Sequence, residues 1–412
     1  MNTAIKHTDI GSIPGDWEMM TLGTLFSFTN GLNADKSAYG KGTPFINVLE
    51  PITYSHIYGP EIPGRVQISG ESAMAFLVKT NDIVLNRTSE TDSELGLAAV
   101  YLGDRQVVFG GFVIRGRPIS DALDSNYSGY ALRAKMIRTQ IVSMGQGAVR
   151  ANIGQQNLKR VLVTVPPKHE QKAIAKALGD IDALIAALDR LISKKHGIKQ
   201  ATMQQLLTGR IRLPGFSGKW ETKQVASFTN CVAGGTPSTL VRSYWDGSIK
   251  WMSSGDLHLK RVKDVPGRIT QAGLDNSAAT ILPKQCVLIG LAGQGKTRGT
   301  VAINLTELST NQSIGAILPN GTFVPDYLFH NLDRRYTELR ELSSGGGRGG
   351  LNLKLLGSLE IPLPSIHEQA AIASVLSDMD AQISALEARR NKTRALKQGM
   401  MQELLTGKTR LI

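Results

Sequence analysis

At 412 residues, 41% of them hydrophobic, the chain has enough apolar material for two ordinary domains and too much for a disordered polymer. No apolar run approaches the roughly 20 residues that cross a bilayer, the N-terminus lacks a signal-peptide core, and two cysteines are too few for a disulfide framework or a Cys-rich zinc site. A formal charge of +13, from 47 Lys and Arg against 34 Asp and Glu, favours a polyanionic partner, and a reducing cytoplasm is the simplest compartment.

Residues 1–165 read as a first mixed domain, rich in Gly and in short β-type runs. Apolar stretches at 82–85, 97–102 and 106–109 mark strands. The polar cluster Asn86-Arg87-Thr88-Ser89-Glu90-Thr91 follows the first of them; an exposed loop is its default role, and contact with bases or phosphates the other. Further on, Gly145-Gln146-Gly147 leads to Arg150 and Asn152. These residue types suit bidentate contacts with guanine and adenine edges, or equally the turning and capping of a loop.

Residues 166–212 form a helical stretch. Ile174, Leu178, Ile181, Ile185, Leu188 and Ile192 alternate steps of four and three, the narrow apolar seam of a coiled coil. Pro167 precedes the helix and Gly209 follows it, the usual start and stop punctuation. Lys194 and Lys195 interrupt the seam, and apolar residues resume at Ile198, Met203, Leu206 and Leu207. His169 at this opening and His367 at the second invite a metal reading, but no Cys, Asp or second His stands at ligand spacing, so capping or packing is expected of both.

Residues 213–362 read as a second mixed domain. It begins with Gly218-Lys219-Trp220-Glu221, as the first does with Gly15-Asp16-Trp17-Glu18, but the interiors diverge. Strands are expected at 286–290 and 299–303. The basic run Lys260-Arg261 is a solvated face or a phosphate contact. Gly290 to Thr297 fits the G-x-x-x-x-G-K-[ST] phosphate loop, which makes a nucleotide-binding enzyme one rival reading. That mechanism needs a helix directly after the Lys, whereas Arg298-Gly299-Thr300-Val301 reads as the start of a strand. A basic loop with Lys296 and Arg298 against DNA is preferred. Arg348 and Asn352, beside a Gly-rich stretch, hold the place of Arg150 and Asn152.

Residues 363–412 repeat the helix. His367-Glu368-Gln369 and Leu404-Leu405-Thr406-Gly407 stand 198 positions after His169-Glu170-Gln171 and Leu206-Leu207-Thr208-Gly209, and about half of the positions between are identical. The seam recurs at Ile372, Leu376, Met379, Ile383 and Leu386, and resumes after Lys392 and Arg394 at Leu396, Met400 and Leu404. A seam cannot bury itself, so the two copies are expected to pair. The expected fold is α+β: two β-rich mixed domains in pseudo-twofold arrangement, joined by two long helices that form an antiparallel coiled coil. Two readers on a common frame fit this pattern. A coiled-coil scaffold without DNA contact is the second rival.

The chain resembles the specificity subunit family of type I restriction–modification systems. The resemblance is carried by Pro167-Lys168-His169-Glu170-Gln171, by Ser365-Ile366-His367-Glu368-Gln369, by both Leu-Leu-Thr-Gly endings and by Gly234-Gly235-Thr236-Pro237-Ser238 with Tyr244-Trp245-Asp246-Gly247. It implies that each mixed domain reads one half of a bipartite double-stranded DNA site and that the helices set the gap. It further implies docking of two modification (methyltransferase) subunits and of restriction (nuclease/translocase) subunits. S-adenosylmethionine, ATP and Mg²⁺ would belong to those partners; no cofactor, metal, catalysis or membrane contact is expected of this chain.

Overall fold

The computed structural model describes residues 5–8, 11–147, 150–293, 295–342 and 350–411. The chain divides into two compact units, Met1–Leu188 with Arg389–Ile412, and Asp189–Ala388. Each contains one mixed domain and half of each long helix.

In the first unit a five-stranded sheet runs in the order Phe26–Asn30, Val113–Pro118, Ile83–Asn86, Ala98–Tyr101, His56–Ile57, antiparallel except at the last pair. Ile83, Val84, Leu85, Ala98, Ala99 and Val100 are all fully buried. A strand covered on both faces needs apolar residues at successive positions, which is why these runs read as continuous rather than alternating. A second sheet runs Arg65–Val66, Tyr39–Ile46, Val107–Phe109, Leu77–Val78. A Cβ on Gly31 would collide with the Gly110 carbonyl, so glycine permits the approach at which Leu32 bridges to Gly110.

The second unit repeats this order with different residues. Its five-stranded sheet runs Cys231–Ala233, Ile314–Ile317, Val287–Gly290, Val301–Asn304, Arg261–Val262, again antiparallel except at the last pair. Its second sheet pairs Trp245–Met252 with Arg268–Ile269 and, in parallel, with Ser309–Thr310. Even an irregularity recurs: the long strand of each second sheet shifts register, between Tyr39 and Thr43 and between Trp245 and Ile249. Two diverged interiors therefore keep one topology.

The repeated sequence forms two 39-residue helices, the central helix Lys168–Leu206 and the C-terminal helix Ile366–Leu404. Within the first unit, Asp182 holds Lys397 at 2.7 Å, and Ile174 and Leu178 share a buried cluster with Leu404 and Leu405. Within the second, Asp380 holds Lys199 at 2.5 Å, and Ile372 and Leu376 cluster with Leu206 and Leu207. In both units the helices pair antiparallel, so the start of one seam meets the end of the other. Leu188, Ile192 and Ile383 are buried too, and Ile181, Ile185, Met379 and Leu386 are half-buried.

Two expected seam residues fall outside it: Ile198 is 42% and Leu396 54% exposed. The alternating spacing passes instead through Lys199 and Lys397, one position later, which form the pairs just described. Each helix then ends on a glycine in left-handed conformation, Gly209 (φ 69°) and Gly407 (φ 70°), whose αL geometry L-residues rarely adopt. A side chain on Gly407 would also strike Pro14 and Trp17.

Candidate nucleic-acid interface

The frame is assembled by the two repeated openings. Glu170, fully buried, accepts hydrogen bonds from Trp17 Nε1 (2.9 Å) and from Arg410 Nε (2.6 Å) and Nη2 (2.8 Å). Arg410 also holds Asp16 at 2.7 Å, and that bond keeps the Asp16 carboxyl below its ordinary value. In the second unit Glu368 accepts from Trp220 Nε1 (3.2 Å) and Arg212 Nε (2.5 Å). The adjacent glutamines tie in each domain: Gln171 accepts from Asp124 N (2.7 Å) and Gln369 from Val324 N (2.9 Å). His169 and His367, expected to cap or pack, are exposed. The buried Glu and Gln beside them make these contacts instead.

On this frame the first domain presents the loop 87–97, which joins Ile83–Asn86 to Ala98–Tyr101. Thr88–Ser89 pairs antiparallel with Ala151–Asn152, and Thr88 Oγ1 donates to Asn152 Oδ1 at 2.5 Å. Arg150 reaches Glu90 at 2.7 Å. Arg87 N donates to Phe112 O (2.8 Å), bringing the start of the last sheet strand alongside. The loop thus unites Arg87, Thr88, Arg150 and Asn152, which lie far apart in sequence. Asn86 leaves the expected DNA-facing set: it is fully buried, and its Nδ2 donates to Glu94 O (3.1 Å). Glu90, the fifth residue of the polar cluster read from the sequence, joins the surface, and so does the 55% exposed Phe112, which the sequence did not single out.

The second domain places the loop 291–300 at the same point of the sheet. Leu291 N donates to Ser313 O (2.8 Å), the counterpart of the Arg87 to Phe112 bond. The would-be phosphate loop therefore joins two antiparallel strands, with no helix after Lys296. The helix amides on which phosphate-loop binding depends are missing from that position. Lys296 is exposed and Arg298 half-buried. Neighbouring Tyr336 and Arg340 hold the loop through the Lys296 (3.1 Å) and Gly295 (2.6 Å) carbonyls.

The remaining expected residues scatter. Lys260 pairs with Asp333 (2.6 Å), and Arg261 pairs with Asp326 (2.5 Å), reaches Ser377 (2.9 Å) and lies over the Phe329 ring. Both are engaged in holding the domain together. Asn352 caps the helix Leu353–Gly357 by accepting from Leu355 N (2.9 Å). It is not the counterpart of Asn152, which sits two residues before the capping position of its own helix, Gly154. Arg348 lies outside the described residues. No helix among the described residues is long and apolar enough to cross a membrane.

Comparison with known proteins agrees with this architecture. The profile of the type I restriction modification DNA specificity domain matches twice, over residues 14–195 and 217–394. The type I restriction enzyme MjaIX specificity subunit of Methanocaldococcus jannaschii is 31% identical over 166 residues, 39% of this chain and 38% of that one. The MjaVIII specificity subunit of the same organism is 21% identical over 423 residues, 97% of this chain and 94% of that one. The solved S subunit of a type I restriction–modification system from M. genitalium shares the fold, with a TM-score of 0.61 at 16% identity, covering 98% of this chain and 99% of that one. With two copies of the domain spanning most of its length, the chain belongs to the type I restriction–modification specificity subunit family.

Proposed function

We propose that this chain is the non-catalytic DNA-reading subunit of its system and that each domain reads one half of a bipartite, asymmetric site. The observation that carries this reading is the pairing of one sheet topology with two unlike loops at one address, 87–97 and 291–300. A constant sheet sets the approach to the duplex, and different side chains select different base edges. The excess of Lys and Arg supplies salt-dependent affinity for phosphates. The long helices set the unread gap; each spans about 60 Å at about 1.5 Å per residue.

The same helices dock two modification subunits, and the restriction subunits assemble on that complex. Leu191 and Ile198, seven residues apart on the central helix and 40% and 42% exposed, supply apolar area for such contacts. S-adenosylmethionine, ATP and Mg²⁺ bind the partners, and the assembly works in the cytoplasm.

The test is to map modified adenines in DNA from cells expressing the full chain with its modification subunit. Two half-sites at fixed separation are expected. Exchange of residues 14–165 for the first domain of another family member should change one half and spare the other. Simultaneous change of both halves would overturn independent reading. Absence of any sequence-specific modification, with complex formation intact, would favour a scaffold.

A further inference from the structure

We infer that Arg150 and Glu90 together read a single C·G base pair in the half-site of the first domain; the inference rests on the DNA-reading function proposed above. Arg150 donates from Nε (3.0 Å) and Nη2 (2.7 Å) to one oxygen of Glu90, Oε1. Arg150 Nη1 and Glu90 Oε2 carry no hydrogen bond among the described residues, and the two side chains are 61% and 68% exposed. The pair therefore presents outward a donor beside an acceptor.

In the major groove guanine offers two acceptors, N7 and O6, and its partner cytosine offers the N4 donor next to O6. Arginine complements the first and glutamate the second, so one exposed ion pair matches one base pair across both strands. An A·T pair offers adenine N6 as a donor but has no pair of guanine acceptors for the arginine. Phosphate contact is the poorer match. The loop 87–97 holds Glu90, Asp92 and Glu94 against Arg87 alone, and such a charge repels the backbone.

The geometry is also held in advance. Thr88–Ser89 bridges to Ala151–Asn152, so Glu90 and Arg150 both directly adjoin a paired segment. Beside them lies a cavity of about 240 Å³ lined by Val48, Ile52 and Phe112 with Thr88, Ser89 and Glu94. An apolar wall next to a donor–acceptor pair suits base edges, where a thymine methyl group can rest, better than it suits sugar and phosphate. The second domain has Ser313 at the place of Phe112 and no carboxylate in the loop 291–300.

The experiment uses the complex of the full chain with its modification subunit, selecting from duplexes randomised across the half-site assigned to the first domain. One position should require C·G. Arg150→Ala and Glu90→Gln should each relax that position by roughly tenfold to a hundredfold, leaving the other positions and the second half-site unchanged. The double exchange Arg150→Glu with Glu90→Arg should turn the preference to G·C. A wild-type half-site without a required C·G pair, or variants that alter no position, would overturn the inference. So would uniform loss of binding by Arg150→Ala at unchanged melting temperature, since that marks a phosphate contact. If the wild-type complex selects no bipartite duplex, the DNA-reading function itself falls.

Discussion

The loops 87–97 and 291–300 occupy corresponding points of two sheets with one strand order and carry opposite charge. The first has three carboxylates and one arginine, the second Lys296 and Arg298 and no carboxylate. Beneath them the frame hardly varies: Glu170 and Glu368, Asp182 and Asp380, Lys199 and Lys397, Arg212 and Arg410 recur at one offset and make the same contacts. Constancy therefore follows the buried clasps and the helix pairing, while the contrast in charge lies in loops that each anchor one apolar residue in the core, Leu95 and Leu291, and leave Glu90 and Lys296 exposed. A change to the frame should cost folding, and a change to the loops should cost recognition alone.

The largest effect that would break this division is at the frame. Glu170→Ala leaves Arg410 and the Trp17 indole N–H without their buried acceptor, and loss of one partner from a buried pair costs about 3–5 kcal/mol. Urea unfolding of the isolated chain measures it. A loss below about 1 kcal/mol would place the clasp among surface ion pairs.

Next in size is a difference in pH response between the domains. At the place where the first domain has Tyr130, whose hydroxyl donates to Asp182 (2.9 Å), the second has His330, fully buried and within 4.0 Å of Asp380. Asp380 is shared with Lys199, and burial, helped by Lys199 and Arg261, pushes the imidazole from 6.5 down to about 3. The folded protein thus holds His330 neutral while the unfolded chain takes up a proton below pH 6.5. Its contribution is intact above that pH and is lost as pH falls toward the folded value. His56 in the first domain is shifted the same way by burial, so the informative quantity is the difference between wild type and His330→Gln. Unfolding free energies should diverge by about 1.4 kcal/mol per pH unit from pH 6 to 4. Parallel curves would remove His330 as the source.

The loops come third. Lys296→Ala combined with Arg298→Ala should reduce the slope of log K against log salt by about 0.9 for each phosphate contact removed. Glu90→Gln should leave the slope no smaller. Equal loss of slope from both loops would erase the contrast in charge as a functional one.

Much of the frame was legible in the sequence. A repeat at constant offset, alternating three–four spacing and terminal glycines identify both long helices, and continuous apolar runs identify the central strands. What was hidden depends on partners distant along the chain. Lys260 and Arg261 read as a basic face because Asp333 and Asp326 lie about 70 residues away. Glu170 meets Arg410 across 240 residues, a pairing that no local spacing signals. Asn86 follows a strand in sequence but is its last residue in space, and burial excludes it from a surface role. Among the residues proposed to read DNA, those with positive charge were visible from composition. Glu90 was legible only as a member of the polar cluster 86–91, without its partner Arg150, and Phe112 was not, because an aromatic does not signal DNA contact without the fold that sets it beside that pair.

The smallest expected effect on stability is on the helices' outward side, and it is set against a large one on the inward side. Leu178, fully buried, should lose about 2–5 kcal/mol on change to Ala. Leu191→Gln with Ile198→Gln, on exposed positions of the same helix, should change the stability of the isolated chain by no more than about 0.5 kcal/mol each. In titrations with the modification subunit the order should reverse, the paired glutamines weakening assembly while the chain melts as before. If assembly is unaffected, these leucine and isoleucine side chains are ordinary scattered surface apolar residues, and docking must use another face of the frame. If the isolated chain is instead strongly destabilised, the seam is wider than its burial indicates, and the tolerance assigned to this side of the helix is wrong.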